Sequence, residues 1–327
     1  MKSHLLKLIL LIFLIKIFVS CKKDKGTADR AQQPSVMEYL SNNTSTNFFY
    51  AALLRAKADT FFSQGGPFTV FAPNNDAFIR AGFTMDKINT TDPEELSRII
   101  TFNILPGRLG SSELVGFLRS FPVALNAERR PNITKNYYGV FYNGARAISS
   151  TIPLGDGVVY TVDDFAIPQE DSMLTVLEAQ PDLTYFTAIV NKCYGLKKYL
   201  LKDTLTVIAP NDNAFRQFGF ASVEDALQQD TVALMRLVVP YILRANEGLL
   251  YSSDFIGGRE VASESISYPA PIGTIPFGRY KIAHDGKTII PFDPDRPTGI
   301  FNNPQLIKTN ILTRRGIIHV VDQVFVP

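Results

Sequence analysis

The spacing of hydrophobic positions changes from helical to strand-like along the chain, and the same succession then starts again. Val36, Leu40, Phe48, Phe49, Ala52 and Leu53 recur at helical spacing with polar residues between them, and 42–46 supplies a break with a cap. Two amphipathic helices are predicted. The run Phe68-Thr-Val-Phe-Ala is β-branched and aromatic, as a buried strand prefers, and Pro73 ends it because proline brings no ladder donor. Asn74 or Asn75 then offers a side-chain oxygen to cap a helix whose Phe78 points into the core, and Gly82 suits the left-handed position after its last turn. Asp92-Pro93-Glu94-Glu95 opens another helix, acidic in its first turn, leading into Phe102-Asn103-Ile104-Leu105-Pro106. Strands follow. Residues 137–142 are apolar and aromatic, Asn143-Gly144 is a hairpin signal, and Gly157-Val-Val-Tyr160-Thr-Val162-Asp163 closes the succession.

Positions 68–83 and 205–220 are identical at nine of sixteen places at a fixed offset of 137. Pro210, Asn211 and Phe215 repeat Pro73, Asn74 and Phe78, while Tyr185, Phe186, Ile189 and Val190 repeat the upstream helical pattern. Gly316-Ile-Ile-His319-Val-Val321-Asp322 repeats the closing strand. The chain therefore reads as two copies of one α+β module, helices first and strands last. From the Ala-Pro proline to the closing proline takes 95 residues in the first copy and 117 in the second. The surplus falls within 252–299, a stretch rich in Pro, Gly and Tyr that includes Tyr268 and Tyr280, with a hairpin turn at His284-Asp285-Gly286-Lys287. Long loops on a rigid scaffold often carry recognition. An insertion that packs on its own module is the competing reading.

The block strand, Ala-Pro, Asn/Asp, Ala-Phe resembles the first signature of fasciclin (FAS1) domains, and Gly316-Ile-Ile-His319-Val-Val321-Asp322 resembles the second. The resemblance covers nearly the whole mature chain, as domains at 34–168 and 169–327. It implies modules in which helices pack on a twisted, wedge-like β-sandwich. Pro73, Asn74, Phe78, Asp163, Pro210, Asn211, Phe215, His319 and Asp322 are the expected structural signature. Tyr160 stands where the second copy keeps His319, which points to packing plus a hydrogen bond, since the two side chains share a shape and a polar tip but not a proton affinity. Asp163 and Asp322 are expected to serve a turn or the backbone. Between the signatures the family places a Tyr-His pair associated with adhesive binding. Here the pair is Phe102-Asn103 in one copy and Pro240-Tyr241 in the other. These four residues, with Tyr268 and Tyr280, are the candidate ligand contacts, and core packing is the rival reading for Phe102.

Composition narrows the chemistry. With 46% hydrophobic residues and a net charge of +2 the chain can build cores and has no charge to attract nucleic acid. Lys2 and Lys7 precede an apolar run over 8–20 that ends at Phe18-Val-Ser-Cys21. This resembles a bacterial lipobox, with 1–20 a signal peptide, Cys21 the lipidated residue and 21–33 a solvated tether. Ser-Cys-Lys-Lys-Asp is similar to the start of many lipoproteins of the Bacteroidota. Cys193 is then the one cysteine left in the folded part, a buried small hydrophobe without a disulfide partner. The histidines, His4, His284 and His319, are far apart, so no metal centre and no cofactor are expected. No phosphate-cradling glycine loop, nucleophile elbow or Cys-x-x-Cys occurs. The expected function is a non-catalytic adhesion or binding lipoprotein of the outer membrane, facing the periplasm or the cell surface, with an extracellular protein or polysaccharide as ligand. The alternatives are a carbohydrate-binding accessory of an outer-membrane uptake system and a structural envelope scaffold.

Overall fold

The closing strand of each module lies beside its opening strand, parallel and residue for residue. The computed structural model describes residues 33–114, 131–149, 151–202, 204–244, 249–255, 259–262, 266–267, 274–275, 279–283, 286–292 and 303–324. In the first module, α1 (Val36–Asn42), α2 (Asn47–Arg55) and α3 (Asp59–Ser63) lead to β1 (Phe68–Pro73), followed by α4 (Asn75–Arg80), α5 (Met85–Thr90), α6 (Pro93–Thr101) and β2 (Ile104–Pro106). The strands β3 (Ile133–Asn136), β4 (Gly139–Tyr142), β5 (Ala145–Arg146), β6 (Ile152–Leu154) and β7 (Gly157–Val162) complete it. The sheet order is β2-β1-β7-β6, in which only β1 and β7 are parallel, paired from Phe68 with Gly157 to Pro73 with Val162.

Both faces of this sheet are covered, so β1 and β7 are buried along their whole length. Val70, Ala72 and Val159 point to the helices and share a core with Leu40, Phe49, Phe78 and Ile99. Phe71, Val158, Tyr160 and Val162 point the other way, into a second core closed by the sheet β3-β4-β5. Phe71 is sandwiched there between Tyr142 and Tyr160, with ring centroids 4.3 and 5.0 Å away. The expected helix-covered sandwich is thus helix layer, central sheet and small outer sheet. The predicted hairpin turn joins β4 to β5, with Asn143 and Gly144 at φ 49° and 85°.

The second module repeats the plan: α7 (Met173–Glu178), α8 (Thr184–Lys192), α9 (Tyr194–Lys202), β8 (Leu205–Pro210), α10 (Asp212–Phe218), α11 (Val223–Ala226), α12 (Thr231–Val238) and β9 (Ile242–Arg244). Its sheet order is β9-β8-β16-β15, with β15 at Leu306–Leu312 and β16 at Ile317–Val321, and again the opening and closing strands are the parallel pair. The caps are also repeated. Asn74 Oδ1 accepts from Ala77 N at 2.8 Å, and Asn211 Oδ1 from Ala214 N at 2.8 Å. Asp92 and Asp230 each accept from two first-turn amides.

Within 252–299 the described residues form a 3-10 turn (Ser252–Asp254), then β10 (Arg259–Ala262), β11 (Ile266–Ser267), β12 (Thr274–Ile275), β13 (Arg279–Ile282) and β14 (Ile289–Phe292). β10, β13 and β14 make a three-stranded sheet, and β11 and β12 a two-stranded ribbon. β13 and β14 pair as a hairpin, with Ala283 N donating to Thr288 O at 2.8 Å, while His284 and Asp285 of the predicted turn lie outside the described residues. Tyr280 lies on β13 opposite Val261 and Pro291. Its side chain, Tyr268 and Cys21 lie outside the described residues.

A glycine opens each closing strand because the parallel neighbour comes too close for a side chain. A Cβ on Gly157 would sit 2.4 Å from Phe68 O and 2.8 Å from Val36 Cγ2; one on Gly316 would sit 2.6 Å from Leu205 O. Gly157→Ala must push two strands apart. It is expected to destabilise the first module by about 1–3 kcal/mol, the usual range for overpacking. Thermal and urea unfolding would register this as a lower transition for that module, and an unmoved transition would contradict the close approach.

Candidate binding site

The polar signature residues turn inward and bond the main chain in matching ways. Thr69 Oγ1 accepts from Leu109 N at 2.9 Å, and Tyr160 donates its hydroxyl to Leu109 O at 2.7 Å. In the second module Thr206 Oγ1 accepts from Leu250 N at 3.0 Å, and His319 Nε2 lies 2.9 Å from Leu250 O. One loop is held by a strand hydroxyl and a strand polar tip in both copies. Burial lowers the His319 imidazole from its ordinary 6.5 to about 4, although the bond to Leu250 O favours the charged form. A neutral ring with its proton on Nε2 donates to that carbonyl and leaves Nδ1 as acceptor, 3.5 Å from Asn310 N. Asp163 Oδ1 accepts from Arg146 N at 2.7 Å, and Asp322 Oδ1 from Gln305 N at 2.7 Å. Their backbone amides donate back to the carbonyls of the same two residues. Desolvation raises the Asp163 carboxyl above its usual range, with the Arg146 amide acting against it.

The four residues at the Tyr-His position do not reach the surface. Phe102, Asn103, Pro240 and Tyr241 are all buried. Phe102 packs with Tyr142, whose hydroxyl donates to Phe102 O, and Asn103 Nδ2 donates to Ile99 O at 3.0 Å. The turn between α6 and β2 places Phe102 and Asn103 inside the first module, and the turn between α12 and β9 places Pro240 and Tyr241 inside the second. Cys193 is buried at the end of α8, and desolvation pushes its thiol up to about 11, which keeps it protonated. Among the described residues no group of His, Cys, Asp and Glu could hold a metal ion.

The modules meet along β15. Asn310 takes a left-handed φ of 59°, and β15 shifts register between Leu306 and Lys308 and between Lys308 and Ile311. The bulge brings Asn310 against the β4–β5 turn, so closely that a Cβ on Gly144 would lie 2.3 Å from Asn310 Nδ2. Asn310 also binds Ser252, accepting from its amide at 2.9 Å and donating to its hydroxyl at 2.7 Å. The turn that follows grips the first module: Asn136 Nδ2 donates to Ser253 O at 3.2 Å, and Leu312 packs on the Phe71–Tyr142 core. Beside this contact lies a cleft of about 600 Å³, walled by the α4 end and the β4–β5 turn on one side and by α7 and β15 on the other. Arg80, Asp164, Gln169, Asp171, Thr175 and Thr309 are among its polar lining residues. Nothing in the two signatures foretells it. The one local signal was Asn143-Gly144, read only as a hairpin turn.

Stability should follow the His319 ring. Its folded value lies below its unfolded one, so the unfolded chain takes up a proton that the folded chain excludes. The stability is fully present above pH 6.5 and declines as pH falls to 4. The decline should reach about 3 kcal/mol, from 1.36 kcal/mol per pKa unit. Urea unfolding of the second module between these pH values should show that slope, and His319→Gln should remove it; an equal slope in the variant would rule His319 out as its source.

A family model described as Fasciclin domain matches residues 44–168 and 181–327. Protein sll1483 of Synechocystis sp. is 28% identical over 136 residues, which is 41% of this chain and 73% of that protein. Periostin of Homo sapiens is 25% identical over 277 residues, 80% of this chain, and the chain spans 28% of periostin's length. Among solved structures, the FAS1 domain pair from the insect cell adhesion molecule fasciclin I is similar with a TM-score of 0.37 and 14% identity, over 86% of this chain and 97% of that one. The two family matches take in most of the chain, and each contains both signature strands with their buried polar partners. The chain belongs to the fasciclin domain family.

Proposed function

We propose that the chain is a non-catalytic binding protein, lipid-anchored at Cys21 in the bacterial outer membrane, that holds an extracellular protein or polysaccharide through its paired fasciclin domains. The observation that carries this reading is the commitment of the polar signature residues to main-chain partners. Tyr160 and His319 hold one loop carbonyl each, and Asp163 and Asp322 hold one strand amide each. Groups so engaged hold the main chain and build a scaffold. Recognition then falls to the outside of the scaffold. The β3–β4 turn presents Tyr137 and Tyr138, 97% and 40% exposed, with rings packed edge to face at 5.5 Å. Tyrosines of this kind, apolar in body and polar at the tip, are frequent interface anchors. Adhesion is what the family resemblance implies, and the lipobox-like Phe18-Val-Ser-Cys21 supports anchorage. More than one acyl chain is needed for stable membrane attachment, which a lipoprotein cysteine supplies.

Cell fractionation with protease shaving tests this. The wild-type chain should sediment with outer membranes, and Cys21→Ala should be recovered in the soluble fraction. Protease added to intact cells should remove the second domain while a periplasmic control survives, and the shaved cells should lose attachment to protein- or polysaccharide-coated surfaces. A chain protected in intact cells would refute cell-surface adhesion and leave a scaffold within the envelope.

A further inference from the structure

We infer that the cleft between the two fasciclin domains is a binding site for a short neutral oligosaccharide. This rests on reading the chain as a binding protein and adds to it a place and a ligand class. The cleft, at about 600 Å³, falls within the range of roughly 300–1,000 Å³ usual for small-ligand sites, and junctions between domains are where such sites tend to form.

Its chemistry favours hydroxyl groups. The side chains of Gln169, Asp171 and Thr309 line the cleft and make no hydrogen bond within the described residues. An amide, a carboxylate and a hydroxyl together both donate and accept, as sugar hydroxyls require. Arg80 is the one cation among the lining residues, and its Nη2 is already engaged by Asp163 O. Two carboxylates, Asp164 and Asp171, line the same cleft, so a phosphate, a nucleotide or an acidic sugar would meet an excess of negative charge. The apolar part of the wall combines alanines such as Ala81 and Ala179 with Phe165, Ile167, Val176 and Leu312, a surface on which the C–H face of a sugar ring can pack.

Backbone geometry gives independent support. β15 departs from regular pairing around Thr309 and Asn310, and Asn310 holds a left-handed conformation that non-glycine residues seldom adopt. Bulges of this type re-aim side chains beside binding sites. Here the irregular residues form one wall of the cleft, while Asn310 is fixed by Ser252 on its own domain and abuts Gly144 on the other. Both walls are therefore held in place before a ligand arrives, which reduces the ordering cost of binding.

Calorimetric titration of the full chain with short cello-, malto- and xylo-oligosaccharides, oligogalacturonides and a pool of short peptides tests the inference. At least one neutral series should bind. Gln169→Ala and Thr309→Ala should each weaken it about tenfold, the loss expected for one hydrogen bond. Ala179→Trp should fill the cleft and abolish binding while the unfolding transition stays in place. The chain contains no Trp, so the introduced indole also reports by fluorescence whether any ligand enters. Failure of every neutral oligosaccharide to bind the wild type would overturn the inference, as would binding that survives Ala179→Trp or a preference for the acidic sugars or the peptides. Surface attachment of cells separates this from the broader reading. Adhesive cells whose protein binds no neutral sugar would sink the cleft proposal alone, and sugar binding without attachment would sink adhesion alone.

Discussion

Both domains depend on one contact, the parallel pairing of β1 with β7 and of β8 with β16. The partners are far apart in sequence, Phe68 facing Gly157 in one domain and Thr206 facing Ile317 in the other. A parallel pair needs a long crossover, and here most of the domain serves as that crossover. Once the strands are joined, their two faces define the two cores, one under the helices and one under the small outer sheet. Gly157 and Gly316 permit the approach, and the caps at Asn74 and Asn211 turn the chain away immediately after the opening strand. The conserved look of the two sequence blocks within this chain follows from that geometry, because they are the two sides of a single interface.

The scaffold was legible in the sequence because local chemistry and tertiary position agree there. Pro73 and Pro210 end strands, Asn74 and Asn211 cap helices, and Asn143-Gly144 turns a hairpin for reasons that need no knowledge of the rest of the chain. Asp163 and Asp322 could be assigned to the backbone because a carboxylate at a strand end finds amides nearby, although Arg146 and Gln305 could not have been named in advance. Phe102 and Tyr241 show the opposite case. An aromatic between a helix and a strand reads equally well as a ligand contact or a core residue, and only the burial of the turn decides. Thr69 and Thr206 carry a further signal: a hydroxyl repeated in an otherwise apolar strand wants a partner, and the partner is a loop amide about 40 residues on.

The exchange of Tyr160 for His319 bears on what the signature is for. Both side chains end in a donor, and both give it to the equivalent loop carbonyl. Their surroundings differ. Tyr160 stacks on Phe71 at 5.0 Å, whereas His319 has Ile208 across the parallel pair and Phe255 at 5.2 Å. Burial keeps the imidazole neutral, so the substitution preserves one hydrogen bond and one shape while adding an acceptor, Nδ1, toward Asn310. The second domain thereby connects its core to the strand that meets the first domain.

That connection makes the two copies unequal, and the inequality decides how a tandem can work. Two independent binding modules gain by avidity only if both expose the same surface. Here the β4–β5 turn of the first domain is covered by β15 and the Ser252–Asp254 turn of the second, so the copies do not present equivalent faces. The second domain has altered its edge strand, with a bulge and a left-handed Asn310, at the point where it touches its neighbour. Such changes are costly in an isolated domain, since a non-glycine residue in that conformation and an interrupted ladder both lose stability. They are compensated by hydrogen bonds and packing that exist only when the domains are joined, Asn136 to Ser253 and Leu312 on the first domain's core. The duplication therefore yields one composite structure from two scaffolds, stabilised alike where the copies agree and joined where they differ.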